Sequence, residues 1–263
     1  MTAVMMQSAT GEIDNASGNN VPQLLVSVQD WPEAIAAIDA NVDLLDFKSP
    51  SRGPLAPVSP ALWQRAACQI GTSTRGGPSN VPRLSAALGE TDQARDVAAS
   101  VPPEFAYAKV GPSGCGSRAE LIRLWDQIRN DLSPHTQLVA VAYADHQAAK
   151  CLPWDQVLMV ALYAGMTRFL VDTFDKTSAS SIQLMGWHGM ARLHQRSRQT
   201  GIRWMAAGRL KMTDVTGFAS RGCLPDGFGV RGDVCGGNRV RPIDRQRVDR
   251  WRRQVALCRN KNP

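Results

Sequence analysis

One stretch of the sequence, Val42-Asp43-Leu44-Leu45-Asp46-Phe47-Lys48-Ser49-Pro50, decides both the fold and the site that we predict. Its apolar residues are typical of a buried strand, and Pro50 ends that strand because proline has no N–H for the sheet. Side chains on a strand alternate between two faces, so Asp46 and Lys48 share one face and Phe47 lies on the other. An amine beside an acid at a strand end is the arrangement that a Schiff-base enzyme needs. A salt bridge at the rim of the fold would give the same pattern.

Strands of this kind recur along the chain, and each is followed by a helical segment. Strands are predicted over residues 23–28, 42–47, 83–88, 105–110, 137–143, 168–172, 203–207 and 226–230. Helices are predicted over residues 33–41, 61–70, 91–100, 118–131, 153–164, 180–200, 211–219 and 243–259. Eight strand–helix pairs in strict alternation predict an α/β fold, a (β/α)8 TIM barrel of a single domain. The alternative is an open doubly wound sheet, whose first strand usually leads into a glycine-rich fingerprint that Val28-Gln29-Asp30 lacks.

The length and composition limit the class of protein. A chain of 263 residues suits one barrel, and its 43% hydrophobic and 20% charged residues are those of an ordinary globular protein. The net charge of +7 is compatible with phosphorylated ligands and does not by itself indicate nucleic acid. The six cysteines include no C-x-x-C pair, which disfavours a zinc site.

Two segments bear on where the protein is expected to be located. Residues 1–21 are polar and lack the basic and apolar regions of a signal peptide, so we predict a disordered extension before a barrel domain over residues 22–263. The longest apolar run, residues 157–166, is too short to span a membrane. We therefore expect a cytoplasmic protein with neither a membrane nor a nucleic acid as its partner.

Charged and polar residues gather at the predicted carboxyl ends of the strands, where a barrel of this kind has its active site. In chain order they are Asp46, Lys48, Lys109, Tyr143, Asp145, Asp172, Lys176, Gly208, Arg209, Arg231 and Gly232. Each has a structural alternative; Lys176, for example, can simply pair with Asp172 four residues earlier. Charges at six strand ends, against strand interiors almost free of lysine, favour one common site.

The lysines and acids of this set predict carbonyl chemistry. A lysine attacks a carbonyl only as the neutral amine, and the pKa of an ordinary lysine is about 10.4. Burial and neighbouring cations lower that pKa. We therefore expect converging amines to depress one another's pKa, namely Lys48, Lys109 and Lys176. The acids beside them can shuttle protons, namely Asp46, Asp145 and Asp172.

The remaining residues of the set predict phosphate binding. Arg209 and Arg231 suit a phosphate group, aided by the backbone amides of Gly208 and Gly232. Tyr143 is expected to contact the substrate beside them. The residue types alone therefore predict a site for a phosphorylated aldehyde or ketone.

Several stretches resemble one family of enzymes. They are Leu24-Leu25-Val26-Ser27, the stretch over residues 42–50, Ala108-Lys109-Val110-Gly111, Tyr143-Ala144-Asp145, Leu170-Val171-Asp172-Thr173 with Lys176, and Gly229-Val230-Arg231-Gly232 with Cys235. From residue 24 to about residue 255 the sequence is similar, in register, to the (5-formylfuran-3-yl)methyl phosphate synthases, also named 4-(hydroxymethyl)-2-furancarboxaldehyde-phosphate synthases. It most resembles bacterial methylotroph-type members, since Arg209 stands where the archaeal pattern has a small hydroxyl residue.

The resemblance implies a barrel enzyme, a carbon–oxygen lyase, that condenses two molecules of glyceraldehyde 3-phosphate. The implied product is the furan precursor of methanofuran and methylofuran, and no metal or organic cofactor is expected. The family's Schiff-base lysine falls on Lys48 and its general base on Lys109, with Asp46, Asp172 and Lys176 in support.

Two alternatives stay open at this point. One is an aldolase-type lyase acting on another sugar phosphate, for which Lys48 alone would suffice. The other is a non-catalytic barrel that binds a phosphorylated metabolite. The sequence leaves the oligomeric state open, a homo-oligomer included.

Overall fold

Residues 21–70 and 81–260 are described by a computed structural model, in which strands and helices alternate throughout. The strands are β1 Gln23–Val28, β2 Leu44–Phe47, β3 Arg83–Ala87, β4 Phe105–Lys109, β5 Gln137–Tyr143, β6 Arg168–Asp172, β7 Arg203–Ala206 and β8 Gly227–Val230. The helices are α1 Trp31–Asp39, α2 Pro60–Gln69, α3 Thr91–Ala98, α4 Arg118–Asp131, α5 Trp154–Tyr163, α6 Ser181–Thr200, α7 Met212–Ser220 and α8 Arg245–Ala256, with a final 3-10 turn over Leu257–Asn260. The predicted extension lies outside the described residues, except for Val21.

The eight strands close into one parallel barrel. Each strand pairs with the next in sequence, and β8 pairs with β1. This closure confirms the predicted single-domain (β/α)8 barrel and excludes the open sheet. It also brings the carboxyl ends of all eight strands to one rim, where strand-end residues far apart in sequence become neighbours.

Side chains alternate between the barrel interior and the layer beneath the helices. Phe47 points outward and packs on Phe105, with ring centroids 5.8 Å apart, while Trp63 covers the same ring at 6.4 Å. Burying a large apolar side chain contributes about 1.5–3 kcal/mol relative to leaving it exposed. The alternation that sends Phe47 outward turns its neighbours Asp46 and Lys48 inward, as predicted.

Every boundary lies within three residues of its predicted position, and two differences are informative. β2 begins at Leu44 rather than Val42, because the carboxylate of Asp43 accepts a hydrogen bond from the Leu24 backbone N–H (2.7 Å) and occupies the start of the strand. α6 is interrupted at Gly186, whose φ of 66° and ψ of 164° are not helical. Among the described helices, none has both the length and the apolar character to cross a membrane.

Candidate active site

A cavity of about 180 Å³ opens at the carboxyl ends of the strands. Nine of the eleven predicted site residues line it: Asp46, Lys48, Lys109, Asp172, Lys176, Gly208, Arg209, Arg231 and Gly232. Tyr143 and Asp145 are not among the lining residues. The rim of the barrel therefore brings together amines and carboxylates from β2, β4 and β6 as the spacing predicted.

Asp46 is the centre of a buried polar layer. Strand register aligns it with Ser27 on one side and Ser85 on the other. Both hydroxyls donate to its carboxylate, from Ser27 Oγ at 3.0 Å and from Ser85 Oγ at 3.1 Å, and Lys109 Nζ lies 2.6 Å from Oδ1. Asp46 and Lys109 are only 1% and 3% exposed, so the pair sits away from bulk water. Sequence reasoning missed the two serines, although each interrupts an otherwise apolar strand.

Asp172 and Lys176 form a second ion pair in the cavity. Lys176 Nζ lies 2.6 Å from Asp172 Oδ1, and the backbone N–H of Thr173 donates to the same oxygen at 2.8 Å. Burial raises the pKa of Asp172, but the charges of Lys176 and Lys48 outweigh it and hold that pKa below its usual value. Burial lowers the pKa of Lys176 despite the opposing effect of Asp172. The predicted pairing four residues apart exists, and the pair still faces the site.

Lys48 differs from Lys109 and Lys176 because its amine is not held by a carboxylate of the described chain. It is 7% exposed, and its Nζ has no hydrogen bond or ion pair with any residue that the structure describes. Burial lowers the pKa of Lys48 from its usual 10.5 to about 7. The carboxylates of Asp172 and Asp46 oppose this shift, and the ammonium groups of Lys176 and Lys109 add to it. A pKa this low leaves a substantial fraction of Lys48 neutral at pH 7, as nucleophilic attack on a carbonyl requires.

Arg231 forms a buried ion pair with Glu33, whereas the sequence predicted that it contacts a phosphate. Its Nη1 and Nη2 form a bidentate pair with Glu33 at 2.8 and 3.2 Å, and both residues are buried. Nη1 also donates to the Ser27 carbonyl, while Nε and Nη2 donate to the carbonyls of Arg239 and Arg241. All five N–H groups of the guanidinium are occupied, so none is left for a phosphate in this arrangement.

Tyr143 and Asp145 support the rim instead of lining the cavity. The Tyr143 hydroxyl donates to Glu90 Oε1 at 2.6 Å, and burial raises the pKa of Glu90 although that hydrogen bond opposes the shift. The Asp145 carboxylate accepts the backbone N–H groups of Phe174 and Asp175, both at 2.7 Å, and so holds the loop after β6. Glu90 was missed, yet it follows the third strand and the strand-end rule would have found it.

The loops after β7 and β8 complete the cavity. Gly208 has a φ of 90°, and a Cβ there would lie 3.0 Å from the Thr173 backbone N, so glycine lets the two loops approach closely. Arg209 donates from Nη1 to the Lys176 carbonyl, and its side chain is exposed. Arg239, which sequence reasoning did not select, is a further cation in the cavity wall.

Comparisons with known proteins identify the family of this chain. The family model for 4-HFC-P synthase matches residues 24–252. A (5-formylfuran-3-yl)methyl phosphate synthase of Methanosarcina acetivorans is 28% identical over 250 residues, covering 90% of this chain and 99% of the relative. A protein of the methylotroph Methylorubrum extorquens, provisionally assigned the same name, is 26% identical over 232 residues, covering 86% of this chain and 89% of that one.

A solved structure supports the fold alone. The 3-keto-L-gulonate-6-phosphate decarboxylase of Vibrio cholerae superposes with a TM-score of 0.52 at 14% identity, covering 92% of this chain and 99% of the other. The family match, in contrast, spans nearly the whole described barrel, including every residue of the two ion pairs and Lys48. The chain therefore belongs to the 4-HFC-P synthase family, the (5-formylfuran-3-yl)methyl phosphate synthases, and is an enzyme for making a furan precursor.

Proposed function

We propose that the enzyme condenses two molecules of glyceraldehyde 3-phosphate through a Schiff base on Lys48, acting as a carbon–oxygen lyase. The product, (5-formylfuran-3-yl)methyl phosphate, has the carbon count of two trioses and keeps one of their phosphates. The reaction releases one phosphate and two molecules of water, which balances its atoms. The observation that supports this proposal best is Lys48 itself, a buried amine that has no ion-pair partner among the described residues and a pKa of about 7.

The first bond forms at Lys48. Its neutral Nζ attacks the aldehyde of one triose phosphate, and loss of water gives an imine. The imine draws electrons from the neighbouring C–H bond and makes that proton acidic. Lys109, in the same cavity, is the proposed base that removes it.

Asp46 lets Lys109 act as a base although the two form an ion pair. The carboxylate is 2.6 Å from Nζ, so it can hold the ammonium proton while the amine takes one from the substrate. The Ser27 and Ser85 hydroxyls keep Asp46 in place during this exchange. The resulting enamine then forms the carbon–carbon bond to the second triose phosphate.

Asp172 and Lys176 serve the later eliminations. The ammonium of Lys176 can protonate a leaving hydroxyl, and the charge that develops on a departing phosphate is stabilised by the same cation. Asp172 holds Lys176 through the 2.6 Å contact. Its negative charge also acts on Lys48, whose pKa it raises. Ring closure and loss of water then give the furan.

Product analysis with a single substrate tests the proposal. We expect the purified protein and glyceraldehyde 3-phosphate alone to yield the phosphorylated furan aldehyde, with one phosphate released per furan, measured by mass spectrometry and a phosphate assay. A six-carbon sugar bisphosphate as the end product would instead identify an aldolase-type lyase. No turnover together with no borohydride-reducible adduct would identify a non-catalytic barrel.

The pKa of Lys48 predicts the pH dependence of imine formation. Below pH 7 the amine is protonated, so the single-turnover rate of imine formation should rise about tenfold per pH unit and level off above pH 7. Rapid-quench borohydride trapping measures this rate. Unphosphorylated glyceraldehyde is the control substrate, because it carries no phosphate that titrates in the same range. A rate that keeps rising tenfold per unit up to pH 10 would show an ordinary lysine and contradict the site described above.

A further inference from the structure

The loop after β8 places against the cavity a cation that the proposed chemistry does not use, Arg239. Its side chain is partly buried and lines the same cavity as Lys48. Nη2 donates to the Gly53 carbonyl at 3.2 Å, in the loop that follows Lys48. Arg239 therefore bridges the loops after β2 and β8 across the mouth of the site.

The guanidinium of Arg239 has no acidic partner among the residues that the structure describes. No Asp or Glu of the described chain lies within ion-pair distance of it, and the hydrogen bond to Gly53 accounts for one of its five N–H groups. Burial lowers the pKa of Arg239, with the more distant Asp172 opposing the shift. An arginine stays charged in a protein, so a partly buried one without an acid is poised to bind an anion.

The buried Arg231–Glu33 pair holds Arg239 in place. Arg231 Nε donates to the Arg239 carbonyl at 2.6 Å, and Nη2 donates to the Arg241 carbonyl at 3.3 Å. Two carbonyls of the loop are thus held at the end of β8 by a residue whose own charge is already neutralised by Glu33. The arrangement orients the Arg239 side chain before any ligand arrives, which reduces the ordering cost of binding.

Four other cations that line the cavity are less suited to this task. The side chains of Arg209 and Lys211 line the cavity but are exposed, so water screens their charges. The amines of Lys109 and Lys176 already hold carboxylates at 2.6 Å. Arg239, in contrast, is partly buried and keeps N–H groups that can donate to a ligand.

We propose that Arg239 binds the phosphate group of the triose substrate and selects phosphorylated over unphosphorylated aldehydes. This inference rests on the proposed function for the identity of the substrate, and the binding of a phosphate monoester tests it separately from the chemistry. Two parallel N–H···O bonds from a guanidinium match a phosphate better than a point charge does. Arg239 is then a specificity-determining residue, and Arg231 is the positioning residue behind it.

Titration calorimetry with glycerol 3-phosphate tests the proposal, since this ligand has the phosphate of the substrate but no carbonyl to form an imine. The full chain is compared with Arg239→Gln, Arg239→Lys and the matched control Arg241→Gln, whose exposed side chain lies two residues away in the same loop. We expect Arg239→Gln to weaken binding about 10- to 100-fold, Arg239→Lys to weaken it less, and Arg241→Gln to stay within about twofold of the wild type. Thermal melting of each variant checks that the fold is intact.

Borohydride trapping on Lys48 separates this inference from the proposed function. In Arg239→Gln, we expect trapping of glyceraldehyde 3-phosphate to need higher substrate concentrations while trapping of unphosphorylated glyceraldehyde is unchanged. Wild-type-like affinity of Arg239→Gln for glycerol 3-phosphate, or no measurable binding to the wild type, would overturn the role of Arg239. No adduct on Lys48 with either aldehyde would overturn the proposed function, and the calorimetry would still decide the role of Arg239.

Discussion

Borohydride reduction in the presence of glyceraldehyde 3-phosphate is expected to attach one triose to Lys48 of the wild-type chain and none to the Lys48→Met variant. Turnover of Lys48→Met is expected to fall by about 10⁴-fold or more, because loss of a covalent nucleophile removes the whole route and not one contact. Peptide mass mapping locates the adduct, and furan formation measures the turnover.

The expected loss of turnover follows from the contacts of the three lysine amines in the cavity. Lys109 and Lys176 are each 2.6 Å from a carboxylate, whereas Lys48 has no such partner among the described residues. An amine with a pKa of about 7 is neutral roughly 10³ times more often at pH 7 than one with the ordinary value. Because carboxylates hold the amines of Lys109 and Lys176, neither of these lysines should replace Lys48 efficiently when it is removed.

Two further variants make this test specific. Lys48→Arg keeps a cation at the position but cannot form an imine, so it should be as inactive as Lys48→Met. Lys150→Met is the matched control: Lys150 is exposed and does not line the cavity, so its loss should leave both the adduct and the turnover unchanged. An adduct that persists in Lys48→Met, or that maps to Lys109 or Lys176, would move the nucleophile elsewhere.

Much of the site was predictable from sequence because a closed parallel barrel brings charged residues at the strand ends close together. The alternation Asp46-Phe47-Lys48 determines which side chains point inward, and parallel closure brings the ends of β2, β4 and β6 to one rim. Neither step requires knowledge of a loop conformation. Lys48, Lys109 and Asp172 thus meet in one cavity although up to 124 residues separate them in sequence.

The contacts made beyond the strand ends were not predictable in this way. The ion-pair partner of Arg231 is Glu33, which lies 198 residues earlier in the sequence. The two residues are neighbours because β1 pairs with β8. Arg239 reaches the cavity through a loop whose course is set by hydrogen bonds to that same arginine. The Tyr143 hydroxyl donates to Glu90 Oε1, a contact that the position of Tyr143 at the end of β5 does not predict.

The Lys109→Met variant separates proton transfer from imine formation. Removing the proposed base should lower turnover about 10²- to 10⁴-fold, while borohydride still attaches the triose to Lys48. The variant also leaves Asp46 buried without its counter-ion, because the Ser27 and Ser85 hydroxyls supply hydrogen bonds but no charge. Breaking a buried pair by removing one partner costs about 3–5 kcal/mol, so the free energy of unfolding should fall by that order in chemical denaturation.

The double variant Asp46→Asn/Lys109→Met tells catalysis apart from stability in this pair. An asparagine at position 46 carries no charge and can still hydrogen-bond to Ser27 and Ser85, so the unfolding free energy should recover most of what Lys109→Met loses. Turnover should not recover, since neither the base nor its proton acceptor is present. If turnover returned together with stability, Lys109 would be a structural residue, and the base that forms the enamine would have to be sought in the Asp172–Lys176 pair, the other proton-carrying pair that lines this cavity.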